Sequence, residues 1–225
     1  MNSESNTQET PGPMMSEHTF WKIISMFHWN KKNSDEILEP AIKYLSSLKS
    51  IHIARFQETL AYKLYMLDTR EHAKNLGAHS YREGLYFSVD WFLYVRCYVV
   101  ARGQAFYNEV LNNPKKMPED SEFEEMLYMA NAAYKRRKHK DLNRETLLDY
   151  ETYSNQDGWS GNSNSENTES ENVELENAQD LFLKATVLLE NTSKSKEDSM
   201  QAWRLVAKSA TKDFLPAKEL LGLVK

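Results

Sequence analysis

The sequence predicts an all-α fold: a compact helical N-terminal domain and a C-terminal helical hairpin of repeat type, joined by a disordered acidic linker. Three observations carry this. The 225 residues hold only 7 Gly and 6 Pro, so few positions oppose a helix. Apolar residues recur at spacings of three and four, the period of one helix face. No two runs of alternating apolar and polar residues flank a turn in the manner of a strand hairpin.

The elements follow in chain order. The opening MNSESNTQETPGP lacks a positively charged start and an apolar core, so residues 1–15 are expected to form a disordered tail and not a signal peptide. A first helix starts near Ser16, with Phe20, Ile23, Ile24 and Phe27 on one face,. Ser34 is placed to cap a second helix whose first turn carries Asp35 and Glu36, where the helix dipole favours negative charge,. Its inner face is Leu38, Ala41, Ile42, Leu45 and Leu48. A third helix follows Ser50 with Ile53, Phe56, Leu60, Leu64 and Leu67 inward, breaks at Asp68-Thr69, and stops at Gly77,. Residues 78–88 read as a loop.

Asp90 then opens the most apolar helix, expected to run to Asn112 before Pro114 and to be the central core helix,. Ser121-Glu122-Phe123-Glu124 has the capping-box pattern, in which Ser and Glu satisfy each other's amide donors,. Phe123, Met126, Leu127, Ala130 and Tyr134 line the helix it predicts. The helical domain is thus drawn over residues 16–153. Residues 154–173, rich in Ser, Asn, Glu, Asp and Gly, bury too little apolar surface to offset the entropy of ordering and form the linker,. Residues 174–225 hold the hairpin. Ala178, Leu181, Phe182, Ala185, Leu188 and Leu189 mark one helix, and Ala202, Trp203, Val206, Ala207 and Ala210 another,. A short last helix begins at Pro216,.

Composition narrows the function classes. The chain is 40% hydrophobic and 27% charged with a net charge of −5, an ordinary globular balance. The lone cysteine, Cys97, excludes an internal disulfide framework and a multi-cysteine zinc site, and the expected location is the cytoplasm. Trp91–Val95 and Cys97–Ala101 are split by Arg96 and fall far short of the roughly 20 residues of a membrane span. The histidines His18, His28, His52, His72, His79 and His139 show no zinc-ligand spacing,. Asp68 and His72, four apart, lack a third ligand. Without a nucleophile elbow, a P-loop or a dinucleotide fingerprint, no catalytic residue, metal or cofactor is assigned.

The string FLYVRCYVVARGQAFYNEVLNNP supplies a resemblance. Together with Phe20-Trp21 it places Asp90, Phe92, Arg96, Gly103, Phe106, Tyr107, Leu111 and Pro114 at the positions of a bacterial domain of unknown function, family 4240. Leu127, Ala130 and Tyr134 sit where that family's closing helix lies, so the resemblance covers about residues 18–137. It implies a helical fold and no established activity. The chain departs from the family in the approach to this helix, where Gly84-Leu85-Tyr86-Phe87-Ser88-Val89-Asp90 keeps one of the family's two acids, which speaks against two-carboxylate chemistry. The segment AWRLVAKSATKDFLPAKELLG is similar to the second half of a SEL-one-like repeat, related to the tetratricopeptide type. Ala210, Ala217, Leu221 and Gly222 keep its spacing, while Ser209 replaces the usual Ala and Asp213 the usual Gly. Such a hairpin needs neighbours to bury its face, so it is expected to dock on the N-terminal domain or on a partner.

Two places carry candidate chemistry. Arg96 interrupts an apolar helix, and a buried guanidinium needs a partner. Asp90 and Arg102 are each six residues away, so helical geometry alone makes neither of them that partner. The residues Ser88, Asp90, Trp91, Arg96 and Arg102 form either an anion pocket or the surroundings of a structural ion pair. The run Lys135, Arg136, Arg137, Lys138, His139, Lys140 is read as a solvated helix end, where cations meet the dipole, with a nucleic-acid patch as the alternative. The expected function is non-enzymatic recognition of a protein partner, with regulatory or toxin-neutralising work by analogy. A nucleic-acid-associated regulator and an enzyme around Asp90 and Arg96 are the other classes. No membrane role is expected.

Overall fold

The computed structural model describes residues 13–160, 178–186, 189, 196–213 and 215–223. All regular structure in them is helical. The helices are α1 (Glu17–Ile24), α2 (Ser34–Ser47), α3 (Ser50–Leu67), α4 (Arg70–Ala73), α5 (Val89–Ala101), α6 (Gln104–Asn112), α7 (Met129–Lys138) and α8 (Gln156–Trp159). They are followed by α9 over residues 178–186, then α10 (Lys196–Thr211) and α11 (Leu215–Leu221).

The local starts follow capping chemistry. Ser16 accepts a bond from the Thr19 amide and begins α1. Asn33, one residue before the expected Ser34, accepts from Asp35 and begins α2. The third helix stops where the pattern breaks: Asp68 ends α3, and Thr69 caps α4 by accepting from the His72 amide.

The central helix is α3, with α5 packed against it. Every residue from Glu58 to Tyr65 is buried, so this stretch of α3 is covered on all sides. Phe56, Leu60, Leu64 and Leu67 face one core with Phe20, Phe92 and Val95. Tyr62 and Tyr65 face a second core with Leu147, Leu148, Val206, Ala210 and Leu221. This second core docks the C-terminal helices on the N-terminal domain. The Tyr62 hydroxyl donates to the Ala210 carbonyl at 3.2 Å, the Met14 amide to the Leu221 carbonyl at 3.1 Å, and Lys212 pairs with Asp157 at 3.2 Å.

The centre of the core is thus α3 and not the expected helix at Asp90, and four further expectations are corrected. The single helix from Asp90 to Asn112 is two, because Gly103 has φ +95°, a conformation glycine adopts without the Cβ penalty. Its first cap is Ser88, which accepts from the Trp91 amide. The capping box does not form: the Phe123 amide bonds the Tyr94 carbonyl at 3.1 Å, and Glu124–Tyr128 is a 3₁₀ turn ahead of α7. Burial of the Phe123 ring 5.2 Å from that of Trp29 outweighs the local signal. The tail is ordered from residue 13, with Met14 and Met15 buried and the Met15 amide bonded to Thr59 Oγ1 at 2.8 Å. Residues 154–160, assigned to the linker, are folded onto the domain. The linker's remaining residues 161–173, and Glu166, Glu169, Glu171, Glu174 and Glu176 in the acidic stretch, lie outside the described residues, as do residues 1–12 of the tail.

Candidate functional site

Arg96 is fully buried on α5. It donates to the carbonyls of Leu64 at 2.9 Å and Tyr150 at 3.0 Å and to the Thr152 hydroxyl at 3.1 Å. Its guanidinium lies 4.7 Å from the centre of the Phe92 ring, and its charge is met by Asp68 at 4.0 Å. Asp68, also fully buried, accepts from the amides of Tyr153 at 3.3 Å and Asn155 at 3.0 Å and from the Trp159 indole at 2.8 Å. The pair therefore holds down residues 150–159, a strap over α3, α4 and α5. Its carboxylate comes from the end of α3, which only the fold brings beside α5.

The other residues of the proposed anion pocket do not converge on Arg96. Ser88 is spent on the helix cap. Asp90 is exposed. Trp91 is half-buried with its ring 5.0 Å from that of His79, and Arg102 is exposed, stacked 5.0 Å over Trp29 and 5.8 Å over Tyr98.

The basic run is exposed throughout, but its middle is engaged. Arg136 grips Glu39 of α2 through two bonds of 2.9 and 2.8 Å, and Arg137 donates to the carbonyls of Ser46 and Ser47 at the end of α2. Lys135 lies 3.5 Å from Asp141. Two members thus clamp α7 to α2, which leaves Lys138 and Lys140 as the outward cations.

The interior polar residues that periodicity missed are those on α3. Glu58 is buried and accepts from Arg144 at 2.8 and 3.1 Å and from the Leu147 amide at 2.8 Å. Burial pushes its carboxyl above the usual range, against the pull of the Leu147 amide and Arg144. Lys63 pairs with Glu17 among the rings of Tyr107, Trp21 and Tyr62, at 5.1 to 5.6 Å, and burial lowers its pKa. The available signal was Arg96 itself: a cation in an apolar helix demands an acid, and Asp68 stood at the helix break.

Two further groups are sealed. His72 bonds Thr69 Oγ1 at 2.7 Å and the Val110 carbonyl at 3.2 Å, and burial pushes its pKa down to about 4. Cys97 is fully buried, and burial drives its thiol pKa up, the reverse of what a reactive thiolate needs. Among the described residues no three His, Cys, Asp or Glu side chains converge as metal ligands, and no helix is long and apolar enough to cross a membrane. A cleft of about 540 Å³ opens between α3, the strap and α10, lined by residues that include Tyr65, Arg144, Asp149, Arg204 and Lys208.

No curated protein and no solved structure matches the chain. The model of a family described as "Protein of unknown function (DUF4240)" matches residues 15–136. That stretch runs from the buried Met15 to the Arg136 clamp and contains Glu58, Asp68 and Arg96. It spans more than half of the sequence, and the chain belongs to the DUF4240 family.

Proposed function

We propose that the chain is a protein-interaction or regulatory protein of a bacterial cytoplasm, of a kind suited to neutralising a toxin. The observation that carries this is the edge before α5. Leu85 is 63%, Tyr86 92% and Val89 40% exposed, close together in sequence beside the ordered Phe87, whose ring packs 5.4 Å from Tyr81. Large apolar side chains gathered in water mark a binding surface. The chemically able interior groups are meanwhile spent on structure. Arg96 is sealed and Asp90 lies outside, so the two share no pocket for a reaction.

The C-terminal helices are read as a SEL-one-like hairpin, a recognition element. Two departures from that pattern support the reading. Asp213, at the usual Gly position, has φ +63°, the region glycine favours. Ser209, at the usual Ala position, is buried and donates to the Ala178 carbonyl at 2.6 Å.

The test is affinity capture from native lysate, with and without nuclease. Baits are the wild-type chain, a Leu85→Ser/Tyr86→Ser variant and a Lys138→Gln/Lys140→Gln variant, which spares the structural arginines. The expected result is a protein retained by wild type and the lysine variant under both treatments and lost by the Leu85/Tyr86 variant. Loss on nuclease treatment or with the lysine variant transfers the assignment to nucleic-acid binding.

A further inference from the structure

We propose that the groove formed by α3, α4 and α5 is a binding site for a turned, tryptophan-bearing peptide segment of a partner protein, filled in this structure by the chain's own residues 147–159. The inference goes beyond the recognition reading above and does not depend on which partner the Tyr86 edge takes.

Three buried charged side chains spend bonds on the main chain of this segment. Glu58 accepts the Leu147 amide at 2.8 Å, Arg96 donates to the Tyr150 carbonyl at 3.0 Å, and Asp68 accepts the amides of Tyr153 and Asn155 at 3.3 and 3.0 Å. Bonds to main-chain atoms hold a peptide whatever its side chains, while pockets for particular side chains select among them. Two such pockets are present. Leu147 and Leu148 enter the core beside Tyr62 and Tyr65. Trp159 enters a nest of Tyr81, Phe87 and Phe92 at 5.3 to 6.3 Å, its indole N–H on Asp68 at 2.8 Å. Trp159 is half-buried there, and a tryptophan packed among aromatic rings with its N–H satisfied is a strong anchor for a peptide.

The division along the chain supports exchange. Glu58, Asp68, Arg96 and the nest residues lie within 15–136, the stretch matched by the family model, and the filling segment lies wholly beyond it. Its only regular structure is the single turn of α8. Segments held by side-chain bonds with little structure of their own open before the core does. A tethered occupant has a high effective concentration, so a segment from outside gains access when the strap is loosened.

The probe is a fluorescein-labelled peptide of residues 144–160, titrated by anisotropy into full-length wild type and full-length Trp159→Ala. The variant is expected to bind about tenfold more tightly, since its groove is vacant for a larger fraction of the time. Unlabelled peptide should compete, and the same peptide carrying Trp159→Ala should not. Equal affinity of the two proteins, equal competition by the peptide lacking tryptophan, or a Trp159→Ala protein that pairs with a second copy instead of the peptide overturns the proposal. If circular dichroism shows that Trp159→Ala does not fold, Thr152→Ala, which removes a bond to Arg96, takes its place. Hydrogen exchange on the wild type gives an independent reading: the Leu147, Tyr153 and Asn155 amides should exchange faster than those of central α3. Exchange at the α3 rate means that the groove never empties, and the proposal fails.

Discussion

Arg96 is held through its terminal nitrogens by two carbonyls, a hydroxyl and the carboxylate of Asp68, while its Nε is buried without a hydrogen-bond partner. Arg96→Met keeps much of the volume but leaves Asp68 buried without its cation, and removing one partner of a buried pair costs about 3–5 kcal/mol. Urea denaturation of the variant should show a loss of that size. His72 sets an acid limit. Its ordinary pKa of 6.5 falls to about 4 in the folded chain, so between these values the unfolded chain binds a proton that the folded one does not. Its contribution is therefore complete above about pH 6.5 and is lost as the pH falls toward 4, by roughly 3 kcal/mol in all. Denaturation midpoints measured from about pH 7 down to about pH 4 should fall further for wild type than for His72→Gln. The need of Arg96 for a partner was legible in the sequence, because a lone cation among Val95, Cys97 and Val99 has no other solution. The identity of the partner was not, since Asp68 is 28 residues away and meets Arg96 only when α3 and α5 pack.

At the scale of elements, the strap depends on close approach at Gly158. A Cβ there meets Thr69 Cγ2 at 2.8 Å and Asn155 Nδ2 at 2.9 Å, so Gly158→Ala must push α8 away from α4. The expected cost is about 1–3 kcal/mol, with a red shift of Trp159 emission as its nest loosens. Most helices were legible from period and caps, as for Ser16 at α1 and the break at Asp68-Thr69. The strap was not. Its Ser, Asn, Asp and Gly read as linker because the bonds that order it come from the Asp68 carboxylate and the Tyr65 carbonyl, which no local pattern displays. The capping box at Ser121 failed for the converse reason: a sound local signal yielded to the long-range burial of Phe123.

At the scale of the molecule, α3 is the wall between two cores. The face with Tyr62 and Tyr65 would be an ordinary amphipathic boundary without α10 and α11, whose Ala207, Ala210 and Ala217 let the helices approach it. Ala210→Glu places a carboxylate against the Tyr62 hydroxyl and should undock these helices while the first core stays folded. Limited proteolysis should then release the C-terminal piece and spare residues 15–136. The isolated fragment 173–225 should lack cooperative melting by circular dichroism, because the surface that buries its alanines lies on α3.

The sequence by itself determined the helical class, the sites of most helix starts and stops, the membership in a family, and the presence of one buried arginine in need of a counter-ion. These follow from periodicity, capping and the cost of burying charge, all of which act between near neighbours or within single residues. Only the tertiary structure decided that α3 is central, that Glu58, Lys63 and Asp68 are interior, and that residues 150–159 belong to the domain. Each of these depends on surfaces brought together from distant parts of the chain, where burial turns a polar residue from a solvated side chain into a bond that holds the fold.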